Sequence, residues 1–129
     1  MSWQQYVDQS LLGTKCVTKA AILGLSNGQV WATTPGFAVS EKEVGVLRNA
    51  YQNPEDLYSS GLVVAGTRFV FLRRSGESAL YGRKGSDSGV CICKTLTALI
   101  VGYYENGIQP GSCNAVVEKL GDYLREQRY

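Results

Sequence analysis

Aromatic and aliphatic residues open the chain at helical spacing. Trp3, Tyr6, Val7, Ser10 and Leu11 fall at i, i+3, i+4, i+7 and i+8, one face of a helix. The spacing predicts an amphipathic helix over residues 3–12. Ser2 is its N-cap, Gln5 completes a capping box, and Gly13 stops it. Two large aromatics stand on this face where leucine would serve. Little sequence precedes them to cover them, and a second aromatic pair, Tyr123 and Tyr129, stands at the other end of the chain.

The pattern then changes period. Val17–Leu25 and Gln29–Thr34 are apolar runs on either side of Ser26-Asn27-Gly28, a hairpin signal. Trp31 lies in the return strand, and Pro35-Gly36 ends it. Ser40 and Glu43 form a second capping box. It opens a helix whose apolar side is Val44, Val46, Leu47 and Tyr51, ending near Asn53. Asn53-Pro54-Glu55 starts a further short helical turn through about Tyr58. From Gly61 onward, short runs between glycine-rich turns predict an antiparallel meander: 61–65, 68–74, 78–83, 90–95 and 96–104. Pro110-Gly111 opens a last helix with Val116, Val117, Leu120 and Leu124 as its buried stripe. The fold class is α+β, with helices at both ends and an antiparallel sheet between.

Composition narrows the chemistry. A chain of 129 residues fits one domain, residues 1–129, with a core of its own. Hydrophobic residues at 44% and charged residues at 19% argue against disorder. There is no histidine, which removes Ser-His-Asp and Cys-His nucleophile systems and most zinc sites short of four cysteines. No carboxylate pair is embedded in an apolar run, so an enzyme is not expected, and neither is a metal or cofactor. A small enzyme on an unrelated α+β fold is the distant rival. Residues 1–15 have neither a basic start nor a continuous apolar core, and no run approaches 18 apolar residues, so neither a signal peptide nor a membrane span is expected. The four cysteines, Cys16, Cys91, Cys93 and Cys113, read as reduced thiols of a cytoplasmic protein. Cys91 and Cys93 alternate on one strand face and pack there, rather than forming a metal or redox pair.

Two constellations carry candidate chemistry. The first is the aromatic set. Spacing alone allows a core stripe, since aromatic helix faces usually pack inward. It also allows an exposed platform, because indole N–H and phenol O–H groups need polar partners when buried. The second is basic. Arg68, Arg73, Arg74, Arg83, Lys84 and Lys94 are six of the 13 basic residues, and only Glu77 and Asp87 oppose them in that stretch. Adjacent strands would gather these charges into one positive patch, either a solvated face or a surface for an acidic or phosphate-bearing partner. The formal charge of +2 is mild. The patch has no aromatic interleaving, so nucleic acid is not expected.

Several stretches resemble the profilin family in register over the whole chain. They are Ser2-Trp3-Gln4-Gln5-Tyr6-Val7-Asp8, Leu12-Gly13-Thr14, Ala20-Ala21-Ile22-Leu23-Gly24 and Val30-Trp31-Ala32-Thr33. Further along come Leu72-Arg73, Leu80-Tyr81-Gly82-Arg83-Lys84-Gly85, Gly89-Val90 through Lys94-Thr95, Ile108-Gln109-Pro110-Gly111 and the run Val116–Leu124. The short loops are similar to fungal, amoebal and plant-type members. The resemblance implies a seven-stranded antiparallel sheet with the first and last helices on one face and small helices on the other. It implies a cytoskeleton-associated monomer that binds monomeric actin, regulating its polymerisation and nucleotide exchange, and that binds proline-rich segments of actin-assembly factors. Trp3, Tyr6, Trp31, Tyr123 and Tyr129 match the family's proline-binding groove. Arg68, Arg73, Arg83, Lys84, Gly111 and Asn114 match its actin surface. Arg73, Arg74, Arg83 and Lys84 would meet anionic phosphoinositide head groups. The turn Arg73-Arg74-Ser75-Gly76-Glu77 departs from the acidic turn common in short-loop members. The alternative is a scaffold module that keeps the proline-rich ligand and no longer binds actin.

Overall fold

In the computed structural model, which describes residues 2–129, one antiparallel sheet of seven strands organises the chain. The strands are β1 (Lys19–Gly24), β2 (Val30–Thr33), β3 (Leu62–Val64), β4 (Thr67–Ser75), β5 (Ala79–Lys84), β6 (Ser88–Lys94) and β7 (Ala98–Tyr104). Their order across the sheet is β2-β1-β7-β6-β5-β4-β3. The first hairpin and the later meander thus meet where β1 pairs β7. The predicted strands are all present, and the sheet is buried on both faces along its centre.

Alternation on the strands sorts the core into two layers. One layer gathers Ala21, Leu23, Leu80, Ile92, Leu99 and Val101 under two helices, α2 (Glu41–Ala50) and α3 (Glu55–Ser60). The other gathers Ala20, Ile22, Cys91, Cys93, Ala98 and Ile100 under the two chain ends. These ends are a helical segment from Trp3 and the helix α4 (Pro110–Glu126).

The capping boxes form as the sequence implies. Ser2 Oγ accepts from the Gln5 N–H at 3.2 Å, and Gln5 Oε1 accepts from the Ser2 N–H at 2.8 Å. Ser40 and Glu43 do the same for α2. The Glu43 carboxylate also accepts from the N–H groups of Ala65 and Gly66, at 3.0 and 2.9 Å, so this cap also holds the β3–β4 turn.

Three expectations need correction. The segment from Trp3 is not one α-helix over residues 3–12 stopped at Gly13. It is a single α-turn, α1 (Trp3–Gln5), which widens into a π-helical stretch Tyr6–Leu11 and tightens into a 3₁₀ turn Leu12–Thr14. Lys15, at φ +62°, reverses the chain. In α2, Val46 is 54% exposed and Ala50 takes its place in the core. Val46 lies two residues, about 200°, from Val44 and so faces away from it. The helix ends at Ala50, not near Asn53. In α4, Cys113 and Gly121 join the buried stripe, and Val116 is only half-buried.

Bare glycines let α4 sit close to the sheet. A Cβ on Gly102 of β7 would stand 2.5 Å from Val117 Cγ2, and one on Gly121 of α4 would stand 2.6 Å from Cys93 Sγ. Gly102→Ala is therefore expected to cost about 1–3 kcal/mol through overpacking. The urea unfolding midpoint should fall with little change in slope.

Candidate functional sites

The first site assembles at the seam between the chain ends. Trp3 sits 4.8 Å from Trp31, 5.7 Å from Tyr6 and 5.2 Å from Tyr129, ring centre to ring centre. Tyr6 sits 6.2 Å from Tyr123. All five aromatics of the sequence-derived set thus form one connected array. Trp3, Tyr6 and Trp31 are half-buried, while Tyr123 and Tyr129 are exposed. Trp3, Tyr6 and Trp31 each rest one side on the core layer beneath α4, beside Val7 and Leu11, which are fully buried.

The rings are placed by several distinct local devices. Trp3 and Tyr6 come from the capped first turn and its π-helical continuation. Trp31 is the extra residue of a β-bulge: Ala32 pairs Ile22 and Val30 pairs Leu23, leaving Trp31 unpaired. The bulge lets Trp31 share the face of its neighbour Ala32, where regular alternation would put it on the other. Tyr129 is pinned through its main chain. Its N–H donates to Leu124 O at 2.9 Å, and its main-chain oxygen accepts from the Thr97 N–H at 2.9 Å and Thr95 Oγ1 at 2.7 Å. Arg125 fastens the same end of α4, donating to Lys94 O at 2.6 Å and to Cys93 Sγ at 3.2 Å. Desolvation, and then the neighbouring Tyr123 and Tyr129 phenols, raise the Tyr6 phenol above its ordinary value of 10.0. It stays a hydrogen-bond donor at neutral pH.

The basic residues do not form one patch. Three of them, Arg68, Arg73 and Arg83, lie on the α4 side of the sheet, paired with Val63, Tyr81 and Val70 respectively. The other three, Arg74, Lys84 and Lys94, lie on the α2 side. There, Arg74 donates to Tyr51 O at 2.8 Å and the Lys94 ammonium sits 5.0 Å from the Tyr51 ring centre. The four-residue phosphoinositide set is thus divided, and Lys84 is separated from the three arginines of the actin set. A second bulge explains the division. Phe71 pairs Gly82 and Arg73 pairs Tyr81, leaving Leu72 extra. That one residue moves Arg73 from the Phe71 face to the Tyr81 face, and Arg74 takes the opposite one. The periodicity of the sequence does not reveal it.

On the α4 side the far end of the sheet is open, because α4 packs over β6 and β7. Gly111, Asn114 and Glu118 form one helical stripe facing this opening. Tyr81 Oη donates to Glu118 Oε2 at 2.8 Å, and the Arg73 guanidinium lies 4.9 Å from the centre of the Tyr81 ring. Desolvation chiefly, with Glu118 assisting, raises the Tyr81 phenol. Arg68 reaches back over Gly61 to donate to Ser59 O at 3.1 Å. Val63, Val70 and Leu72 are exposed here, Val70 by 63%. The sequence marks Leu72 and Tyr81 only inside longer family-like stretches, and Val63 and Val70 not at all. For Val70 and Leu72 the signal was the unbroken apolar run Phe69–Leu72 on a strand with only one covered face.

Three of the four thiols are core residues. Cys91, Cys93 and Cys113 are fully buried beneath α4, and Cys16 is half-buried. Among the described residues no cluster of three or more metal-ligating side chains occurs.

Comparison with known proteins agrees with this architecture. A family model described as Profilin matches residues 1–129. The chain is 48% identical to Profilin-2 of Acanthamoeba castellanii over 129 residues, covering all of both chains. It is 36% identical to a profilin of Schizosaccharomyces pombe over 124 residues, 96% of each. The crystal structure of Acanthamoeba castellanii profilin II superposes with a TM-score of 0.91 at 47% identity, covering 99% of this chain and 100% of that one.

Burial sets the order of thiol reactivity. Desolvation, then the nearby Cys16, pushes the Cys113 thiol up to about 12, and desolvation likewise raises Cys91 and Cys93. At pH 8 the Cys113 thiolate fraction is then on the order of 10⁻⁴. In the native protein an aromatic disulfide reagent is expected to titrate Cys16 rapidly and the other three only after denaturant is added.

Proposed function

This chain belongs to the profilin family, and on that premise we propose that it binds proline-rich segments across the aromatic array and actin monomers on the open β3–β4–β5 face. As a profilin it is a binding protein and not an enzyme. The aromatic array carries the first half of this reading. A polyproline II helix has flat ring faces, exposed carbonyls and a rise of about 3.1 Å per residue. The steps Trp31–Trp3, Trp3–Tyr6 and Tyr6–Tyr123 measure 4.8, 5.7 and 6.2 Å, about one and a half to two such residues each. Rigid rings supply area at low entropic cost, and the indole and phenol groups donate to the carbonyls.

For actin the supporting observation is the mixed character of the open face. Val63, Val70 and Leu72 offer apolar area between Arg68, Arg73 and Arg83, and Gly111 and Asn114 border it from α4. A Cβ on Gly111 would meet nothing, so a partner's backbone has room to approach. The arginines steer an acidic partner and fix its register more than they add affinity. Lys84 falls outside this surface. A phosphoinositide head group would meet Arg73 and Arg83 on the same face, in competition with actin. The two main sites lie toward opposite ends of α4, so both ligands fit at once. Delivery of actin to an assembly factor then rests on effective concentration. Faster nucleotide exchange would follow from how actin is held, with no chemistry in this chain.

Adding oligoproline is expected to change tryptophan fluorescence, and Trp3→Ala should abolish binding. An unchanged spectrum with both tryptophans intact would sink the platform. Binding should be flat from pH 6 to 9. No histidine is present, and the Tyr6 donor is lost only as pH rises through a value already above 10.0. Arg73→Glu with Arg83→Glu should weaken actin-monomer sequestration at least ten-fold and leave oligoproline binding intact. Sequestration that survives the double reversal would move actin off this face, and failure of the unmutated protein to sequester actin would favour the scaffold module.

A further inference from the structure

The aromatic array does not end at Tyr123. A groove of about 440 Å³ continues past Tyr6 and Tyr123, between the N-terminal helical segment and α4. Ser10 and Thr14 form one wall, Val116 and Lys119 the other, and Leu120 lies between. Tyr6, Ser10 and Thr14 recur every fourth residue through the π-helical stretch and the 3₁₀ turn. Tyr123 and Lys119 are one α-turn apart on α4, about 6 Å along the axis. That is two residues of a polyproline II segment.

Lys119 is the one charged side chain in the groove. Its sequence neighbours do not neutralise it. Glu118 accepts from Tyr81 on the sheet side of α4, at 2.8 Å. Asp122 is paired with Arg125 at 2.7 Å, the sole ion pair among the described residues. Lys119 is exposed and presents an uncompensated ammonium beside the apolar surface of Val116, Leu120 and Tyr123.

We propose that this groove reads the flank of the proline-rich ligand, and that the preferred segment carries an acidic residue two or three positions beyond its proline run, on the side that leaves past Tyr123. Lys119 pairs with that carboxylate, and Val116 and Leu120 take the side chain between. The inference rests on the aromatic array being the proline-segment site. It adds a charge rule to a surface that otherwise reads only ring faces and carbonyls. The rule also sets the direction in which the segment lies.

The test uses the intact protein and tryptophan fluorescence. Its peptides are plain octaproline and octaproline with Glu or Lys two residues beyond either end. One of the two Glu peptides is expected to bind about two- to five-fold tighter than its Lys counterpart at low salt, the scale of an exposed ion pair. The difference should vanish in 0.5 M salt, and Lys119→Glu should reverse the preference. Equal affinities for Glu and Lys peptides, or a preference unmoved by Lys119→Glu, would overturn the groove while octaproline binding keeps the platform. No response to any peptide, plain octaproline included, would overturn both.

Discussion

The two-residue alternation of a β-sheet governs this molecule, and two departures from it create its surfaces. A sheet buried on both faces assigns every strand residue to one side, and a one-residue shift reverses the assignment. In β2 the extra residue is Trp31, and the shift lets the indole share the side of Ala32, beside Trp3. In β4 the extra residue is Leu72, and the shift delivers Arg73 to Tyr81 and sends Arg74 to Tyr51. Without the first bulge the aromatic array would lose its inner ring. Without the second, the open face would exchange one arginine for another. Both bulges occur on strands near a sheet edge, where an unpaired residue disturbs the fewest ladder bonds.

The second constraint is how closely α4 approaches the sheet. Gly102 and Gly121 remove the side chains that would hold it off, and three buried thiols fill the narrow gap. A small, soft side chain fits that space where Leu would not. Once seated, α4 serves both candidate sites. Its first half carries Gly111, Asn114 and Glu118 along the open strands, and its second half carries Lys119, Tyr123 and the turn to Tyr129. Arg125 ties the end of the helix to β6. A change that tilts α4 is thus felt at both surfaces. The exposed Asp122–Arg125 pair contributes little to stability by itself. Its effect is local, drawing a carboxylate away from Lys119.

Much of this was legible in the chain. The two capping boxes, the first hairpin, the meander and the last helix follow from short-range chemistry, and each forms close to where the pattern puts it. The aromatic set was legible as a set of residues, but helical spacing alone left open whether its rings pack inward or face a ligand. The basic set was legible only as a count. Charges within a few residues of one another look like a patch, but strand geometry separates Arg73 from Arg74 and Arg83 from Lys84. Exposed Val63, Val70 and Leu72 were missed because an apolar residue on a strand reads as core until the uncovered face is known.

The sequence by itself determined the elements, the absence of histidine chemistry and the residue types available for binding, since these depend on local propensity and composition. Only the tertiary structure decided which of those residues meet. The π-helical widening after Gln5, the two bulges and the seat of α4 are settled by packing between segments far apart in the chain. The aromatic stretch that opens the sequence becomes one wall of a groove because the other wall arrives from the last helix, more than a hundred residues later.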